Sequence, residues 1–166
     1  MTEMGCDPER EAQDQWLSGF LASKPAIALV ANDLTLTSGA TVVRLLDREV
    51  AEPDANIVGP TWTVVSIIDG DAVSSVPDGA VATLQFAADG SVLVNTGCNQ
   101  GQGRWSNAGG GITFSEVILT KKACSGVEGQ LEGAMLPILG GKADASIDAS
   151  MLTLQSGAAG LQLQAR

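Results

Sequence analysis

The hydrophobic residues near the start of the chain recur at helical spacing. They lie three or four positions apart and form one stripe, which consists of Ala12, Trp16, Leu17, Phe20 and Leu21. Asp7 and Pro8 suit the cap and the first turn of a helix, and Lys24-Pro25 ends it. We therefore expect an amphipathic helix whose apolar face packs on a core.

Shorter apolar runs separated by turn residues follow this helix and predict strands. We expect strands at residues 26–30, 33–37 and 41–46. Ser38-Gly39 marks the turn between the last two strands. Pro53 and Pro60, which lie among small and acidic residues, indicate a linker over residues 51–61.

A second series of elements begins at Trp62. We expect strands at residues 62–68, 82–86, 91–95, 104–106 and 112–115. Asp89-Gly90 marks a hairpin turn. Ser125 and Glu128 match a capping box, which predicts a second helix that ends before Gly140. The chain then closes with three more strands at residues 145–147, 151–154 and 161–164.

The second helix and its following strands repeat the first part of the chain. Residues 2–47 align without a gap on residues 120–165, a shift of 118 positions that pairs Cys6 with Cys124. Agreement that continues from the helix into the hairpin indicates duplication, because chance similarity of two amphipathic helices would not extend so far. The expected order is a back half, a linker, a front half and a second back half.

The charge of the chain excludes some classes of partner. Asp and Glu outnumber Lys and Arg by 19 to 9, which gives a net charge of −10. Such a charge repels phosphate backbones and anionic lipids, so we expect no nucleic-acid partner. The longest apolar run, residues 26–31, is far shorter than the roughly 20 residues that span a bilayer. We expect neither a membrane span nor a signal peptide in this chain.

The content of histidine and cysteine restricts the chemistry. Histidine is absent, which excludes Ser-His-Asp and Cys-His catalysis, and we expect no metal and no cofactor. The three cysteines Cys6, Cys98 and Cys124 match no C-x-x-C zinc pattern. Their number suits one disulfide and one unpaired thiol.

Several motifs follow one another in a fixed order from Trp62 onward. They are Trp62, Leu84-Gln85-Phe86, Asp89-Gly90, Gly97-Cys98-Asn99, Gly103-Arg104-Trp105, Phe114, Thr120, Cys124, Glu128 and Leu152-Thr153-Leu154. In these elements the chain resembles the META domain family, also called the heat-shock HslJ-like family. The resemblance covers a complete domain over residues 62–166 and the C-terminal half of a preceding copy over residues 1–50. It suggests a chain cut from a longer protein with tandem copies.

The resemblance implies a small α+β fold in which an antiparallel, barrel-like curled sheet packs on one helix. Many short strands with one helix per repeat agree with this expectation. The family occurs often in secreted, lipoprotein-like or envelope-attached bacterial proteins and is linked loosely to heat shock, motility, secretion and virulence. It brings no established catalytic residues. We therefore expect an extracytoplasmic module that is not an enzyme.

The family motif in this chain comprises Gly97, Cys98, Asn99, Thr120 and Cys124. We expect a structural disulfide between Cys98 and Cys124, which leaves Cys6 as an unpaired thiol. Two packed free thiols are the alternative, and a reactive Cys124 at a helix N-terminus is a third interpretation. A bond between Cys6 and Cys98 would instead mean that the first back half completes the barrel.

Two other patterns suggest ligand sites, but each has a simpler explanation. The glycines that follow residue 96 lack the spacing of a phosphate-binding loop, and tight turns account for them. The acidic residues of the loop over residues 69–79 lack the spacing of a calcium-binding loop, so we expect a solvated loop. They are Asp69, Asp71 and Asp78.

We expect the chain to stabilise or bind another protein. The alternatives are a carrier of a small apolar ligand, which requires an internal cavity, and a thiol redox protein. Because two back halves share one front half, the first is expected to expose Trp16, Phe20 and its strand edges. A homodimer or a domain swap through residues 1–50 is the expected consequence.

Overall fold

The computed structural model describes residues 7–166, except for the side chain of Ala108. The chain divides into two compact units, of which the first ends at Pro53 and the second begins at Asp54. The unpaired thiol expected at Cys6 lies outside the described residues.

The first unit contains two helices and a three-stranded antiparallel sheet. In chain order its elements are α1 (Pro8–Ala22), β1 (Ala26–Val30), β2 (Asp33–Ser38), β3 (Thr41–Leu46) and α2 (Arg48–Ala51). Asp7 caps α1 by accepting a hydrogen bond of 3.1 Å from the backbone N–H of Arg10. The strand order is β1-β2-β3, which leaves β1 and β3 at the edges. The helix α2 is an element that the sequence did not predict.

The second unit is a closed antiparallel barrel with one helix. Its elements are β4 (Thr61–Asp69), β5 (Ala72–Ser75), β6 (Thr83–Phe86), β7 (Ser91–Asn95), β8 (Gln100–Ala108), β9 (Gly111–Leu119), α3 (Gly126–Leu139), β10 (Lys142–Asp148), β11 (Met151–Ser156) and β12 (Ala159–Ala165). Eight strands form the ring in the order β4-β6-β7-β8-β9-β10-β11-β12, and pairing of β12 with β4 closes it. The short β5 pairs with β4 beside the ring. The expected α+β, barrel-like fold is confirmed.

Large apolar side chains fill the barrel. Those that are almost fully buried are Trp62, Leu84, Phe86, Val92, Ile112, Leu131, Met135, Ile138, Leu152, Leu154, Leu161 and Leu163. The strands supply them at alternate positions, and α3 supplies one apolar face. In residues 7–166, no helix is both long and apolar enough to cross a membrane.

Residues 54–61, which we expected to belong to a linker, are part of the second unit. Trp62 donates from its indole Nε1 to the carbonyl of Ile57 at 2.9 Å, and the backbone N–H of Ala55 donates to the carbonyl of Ala149 at 2.7 Å. These bonds hold the segment against the barrel. The compact unit therefore begins several residues before its first strand.

Other local expectations also differ from the structure. Phe20, which we expected to be exposed, is only 8% exposed. The loop expected over residues 69–79 contains the strand β5. Ser125 is the N-cap of α3, but its side chain makes no capping hydrogen bond. Gly126 adopts a left-handed φ of 63°, so the backbone between Ser125 and Glu128 lacks the regular first turn that a capping box requires.

A close approach of two strands depends on Gly101. A Cβ atom at this position would lie against the carbonyl oxygen of Ile118 in β9. We expect Gly101→Ala to lower the free energy of unfolding by more than about 2 kcal/mol, because backbone atoms would have to move. Gly133→Ala in α3 is the control, since no atom lies within 4 Å of its added Cβ. The control should be neutral or stabilising by about 0.5–1 kcal/mol in urea unfolding, and equal losses in both variants would contradict this packing.

Candidate functional site

A disulfide joins the β7–β8 turn to the segment that precedes α3. It links Cys98 to Cys124, whose Cα atoms are 6.1 Å apart and whose positions are separated by 26 residues. Both side chains are half-buried. Closing a loop of this length stabilises a fold by about 3.5 kcal/mol through the entropy of the unfolded chain. The bond ties the front half of the barrel to its back half.

The turn that carries Cys98 has its own local structure. Gly97 adopts a φ of 91°, which glycine tolerates without strain. Its backbone N–H donates to the side-chain oxygen of Asn95 at 2.9 Å. A Cβ atom on Gly97 would lie 3.3 Å from a methyl group of Leu131 in α3. Glycine therefore satisfies both the backbone conformation and the close approach of the helix.

Asn99 is a buried polar side chain with a complete set of partners. Its Oδ1 accepts from the Thr120 hydroxyl at 2.7 Å and from the Lys122 backbone N–H at 2.8 Å. Its Nδ2 lies 2.9 Å from a carboxylate oxygen of Glu132, 3.1 Å from the Lys122 carbonyl oxygen and 3.3 Å from the Cys124 sulfur. Only 3% of the residue is exposed. The amide thus orients the disulfide, the carboxylate and the segment before α3.

Glu132 in α3 is the acidic member of this site. Its Oε2 accepts a hydrogen bond of 2.6 Å from the hydroxyl of Thr96, which is itself fully buried. The Thr96 hydroxyl is the main cause that lowers the pKa of Glu132; desolvation opposes it, and hydrogen bonds from Asn99 lower it further. The Cys124 sulfur lies 3.8 Å from the same carboxylate oxygen. A carboxylate and two sulfur atoms are therefore brought together at the surface of the barrel.

Five residues of this site are expected from the sequence, and the structure brings them together. They are Gly97, Cys98, Asn99, Thr120 and Cys124. Thr96 and Glu132 complete the site and are not expected from the sequence. The repeat points to Glu132, because another acidic residue, Asp14, lies 118 positions before it.

The other two candidate patterns do not converge on a ligand site. Gly101 and Gly103 lie within β8, where the absence of side chains admits β9. Asp69, Asp71 and Asp78 do not belong to any metal-binding group in the described part of the chain. The cluster of Cys98, Cys124 and Glu132 does meet the geometric requirement for such a group.

Replacing the Asn99 amide by a carboxylate tests its role as a hydrogen-bond donor. Asn99→Asp keeps the acceptor for Thr120 and Lys122 but places a second carboxylate against Glu132. We expect a loss of about 2–3 kcal/mol in the free energy of unfolding at pH 7, which becomes smaller at acidic pH as the carboxyl pair binds a proton. The exposed Asn107→Asp should change stability by less than about 0.5 kcal/mol at either pH. Equal losses in both variants would contradict this role.

The lowered pKa of Glu132 also predicts a dependence of stability on pH. Because the folded-state pKa lies below the unfolded value of about 4.3, the carboxylate stabilises the fold above that pH. This contribution is lost as the pH falls through the folded-state pKa. We expect Thr96→Val, which removes the principal donor, to lose most of this contribution, so that the acid-dependent loss of stability in urea unfolding becomes smaller than in the unchanged chain. The exposed Thr113→Val is the control, and an unchanged acid limb in Thr96→Val would contradict the assignment.

Two solved structures are similar to this chain in fold. One is an NMR structure of a protein from Burkholderia xenovorans, with 21% identity, a TM-score of 0.55, and coverage of 78% of this chain and 95% of that chain. The second is another protein solved by NMR, with 20% identity, a TM-score of 0.50, and coverage of 63% of this chain and 87% of that chain. At these identities the similarity establishes the fold alone. The chain matches no curated protein.

The family assignment depends on the second unit. Residues 55–166 match the family model described as the META domain. This range includes the closed barrel, the Gly97-Cys98-Asn99 turn and the network around Asn99. The chain therefore belongs to the META domain family.

Proposed function

We propose that this chain is a non-catalytic, extracytoplasmic module that binds another protein through its first unit. The observation that carries the proposal is a partly exposed apolar face on the sheet of β1, β2 and β3. The Cys98–Cys124 disulfide supports the location, because such bonds persist in oxidising compartments. A role in stress, secretion or surface attachment is consistent with such a module.

The first unit corresponds to the C-terminal part of the second unit. With the shift of 118 positions, β2 has the same bounds as β11, and β3 begins at the same position as β12. Leu36 lies opposite Val43 in the same way as Leu154 lies opposite Leu161. The β1–β2 hairpin and the β10–β11 hairpin each have an alanine at positive φ, namely Ala31 at 52° and Ala149 at 51°. These likenesses support the proposal that residues 1–50 are the back half of a second META-like repeat.

One face of the sheet in this half is apolar. Side chains alternate across the strands, so one face carries Ile27, Leu29, Leu34, Leu36, Val43 and Leu45. The residues of the second unit that correspond to the last four of these are fully buried in the barrel. They are Leu152, Leu154, Leu161 and Leu163. In the first unit Ile27 is 72% exposed, Leu29 is 68% exposed and Leu45 is 48% exposed. A partner that covers this face would gain about 25 cal/mol for each Å² of apolar surface removed from water.

The outer strands of the first unit differ in pairing from their counterparts in the second unit. In the second unit β10 pairs with β9 and β12 pairs with β4. Among the described residues, the corresponding strands β1 and β3 pair only with β2. A binding partner of this unit therefore supplies an edge strand together with an apolar face. A second copy of this chain has both, which makes a homodimer through residues 1–50 the form that we propose.

A carrier of small apolar ligands has less support. Such a protein needs an empty interior, whereas Trp62, Phe86 and Met135 are almost fully buried inside this barrel. Leucines from β6, β11 and β12 occupy further interior positions. The interior is used for packing.

The protein-binding proposal predicts a face-specific effect on self-association. We expect the mass of the full chain in sedimentation equilibrium to rise towards that of a dimer with increasing concentration. Leu29→Lys should weaken the dimer about tenfold or more, because it places a charge in the apolar contact. Ala28→Lys is the matched control, since it is exposed on the same strand but on the opposite face. A strictly monomeric chain, or equal effects of the two variants, would contradict the proposal.

A further inference from the structure

Three potential metal ligands meet at the disulfide of the second unit. One ligand atom from each of Cys98, Cys124 and Glu132 lies within 4.8 Å of the other two. Bond lengths of about 2.3 Å for Zn–S and 2.0 Å for Zn–O place the ligand atoms of a tetrahedral site about 3.5–3.8 Å apart. The distance from the Cys124 sulfur to Glu132 Oε2 is 3.8 Å. Small shifts would therefore be sufficient once the sulfur atoms are no longer bonded.

We propose that reduction of the Cys98–Cys124 disulfide converts this cluster into a Zn²⁺ site formed by two thiolates and the Glu132 carboxylate. In the reduction, a dithiol donates two electrons and two protons, which breaks the S–S bond, yields two thiols and leaves the dithiol as a disulfide. Binding of Zn²⁺ then releases the two thiol protons to solvent. Three protein ligands leave the fourth position of the metal to water.

The surroundings of the cluster suit a metal site in two respects. Asn99 Nδ2 lies 2.9 Å from Glu132 Oε2 and 3.3 Å from the Cys124 sulfur, so its N–H groups orient the carboxylate and offset part of the charge of a thiolate. The Thr96 hydroxyl donates to the same oxygen, Glu132 Oε2, at 2.6 Å. The ligand set is thus oriented before the metal arrives.

The chemistry of the ligands selects the class of metal. Two thiolates with one carboxylate favour Zn²⁺ and similar ions over Ca²⁺ and Mg²⁺, which prefer oxygen ligands alone. Histidine is absent from the chain, so imidazole cannot compete for the ion. The proposal concerns the second unit only and does not depend on protein binding by the first unit.

The test uses Co²⁺ as a spectroscopic probe and Zn²⁺ as a competitor. The full chain carrying Cys6→Ser is reduced with a phosphine, which becomes a phosphine oxide, and is freed of reductant without air. We expect a single equivalent of Co²⁺ to produce thiolate-to-metal charge-transfer absorption and the visible bands of a tetrahedral ion. Zn²⁺ should abolish both signals. The oxidised chain should give neither signal, and the proposal is wrong if the reduced chain also gives none.

Variants separate this site from adventitious binding. Glu132→Gln should weaken Zn²⁺ binding by about tenfold or more, and Cys98→Ser should remove the spectrum of the two-thiolate site. Glu128→Gln, one turn earlier in α3, should leave the affinity unchanged. Unchanged affinity in Glu132→Gln would overturn the assignment of the carboxylate. Circular dichroism checks that each variant is folded.

A second measurement requires no substitution within the site. In the reduced chain, Zn²⁺ should slow alkylation of Cys98 and Cys124, as followed by peptide mass spectrometry. Mg²⁺ at the same concentration should have no effect. Equal alkylation rates with and without Zn²⁺ would overturn the proposal even if the variants failed to fold.

Discussion

The site depends on the hydrogen bonds of one buried group, the side-chain amide of Asn99. These bonds also join the two halves of the barrel. The amide extends from the β7–β8 turn and bonds to Thr120, Lys122 and Glu132, which all belong to the back half. A buried amide that loses its partners costs about 1–3 kcal/mol. The turn and the back half therefore stabilise each other through polar contacts as well as through apolar packing, which is less selective about its partner.

This dependence distinguishes the two parts of the chain. By sequence, the first unit has Asp14 at the position of Glu132 and Cys6 at the position of Cys124. In the printed sequence the Gly97-Cys98-Asn99 motif occurs once, in the second unit. A back half alone thus offers an apolar face and strand edges, whereas the complete site requires both halves.

The sequence predicted elements that local patterns determine and missed those that depend on closure of the barrel. Helix α1 and the strands β2 and β3 were located almost residue by residue, because turn residues and alternating apolar residues mark their ends. Strands β8 and β9 are much longer than expected, since Gly101 and Gly103 interrupt the apolar alternation while permitting close pairing. Glu132 was missed because its partner Asn99 is 33 residues away and only the closed ring brings them together.

Hydrogen bonds, as well as the disulfide itself, hold the two sulfur atoms in position. Cys98 is held by the turn at Gly97 and by its neighbour Asn99, whose backbone N–H donates to the Thr96 hydroxyl at 2.9 Å. Cys124 follows Lys122, whose N–H and carbonyl group both contact the Asn99 amide. Reduction would therefore remove the covalent link while these hydrogen bonds keep the thiols close together. Such preorganisation favours both the re-formation of the disulfide and the binding of a metal ion, so the redox state of the compartment decides which of them occurs.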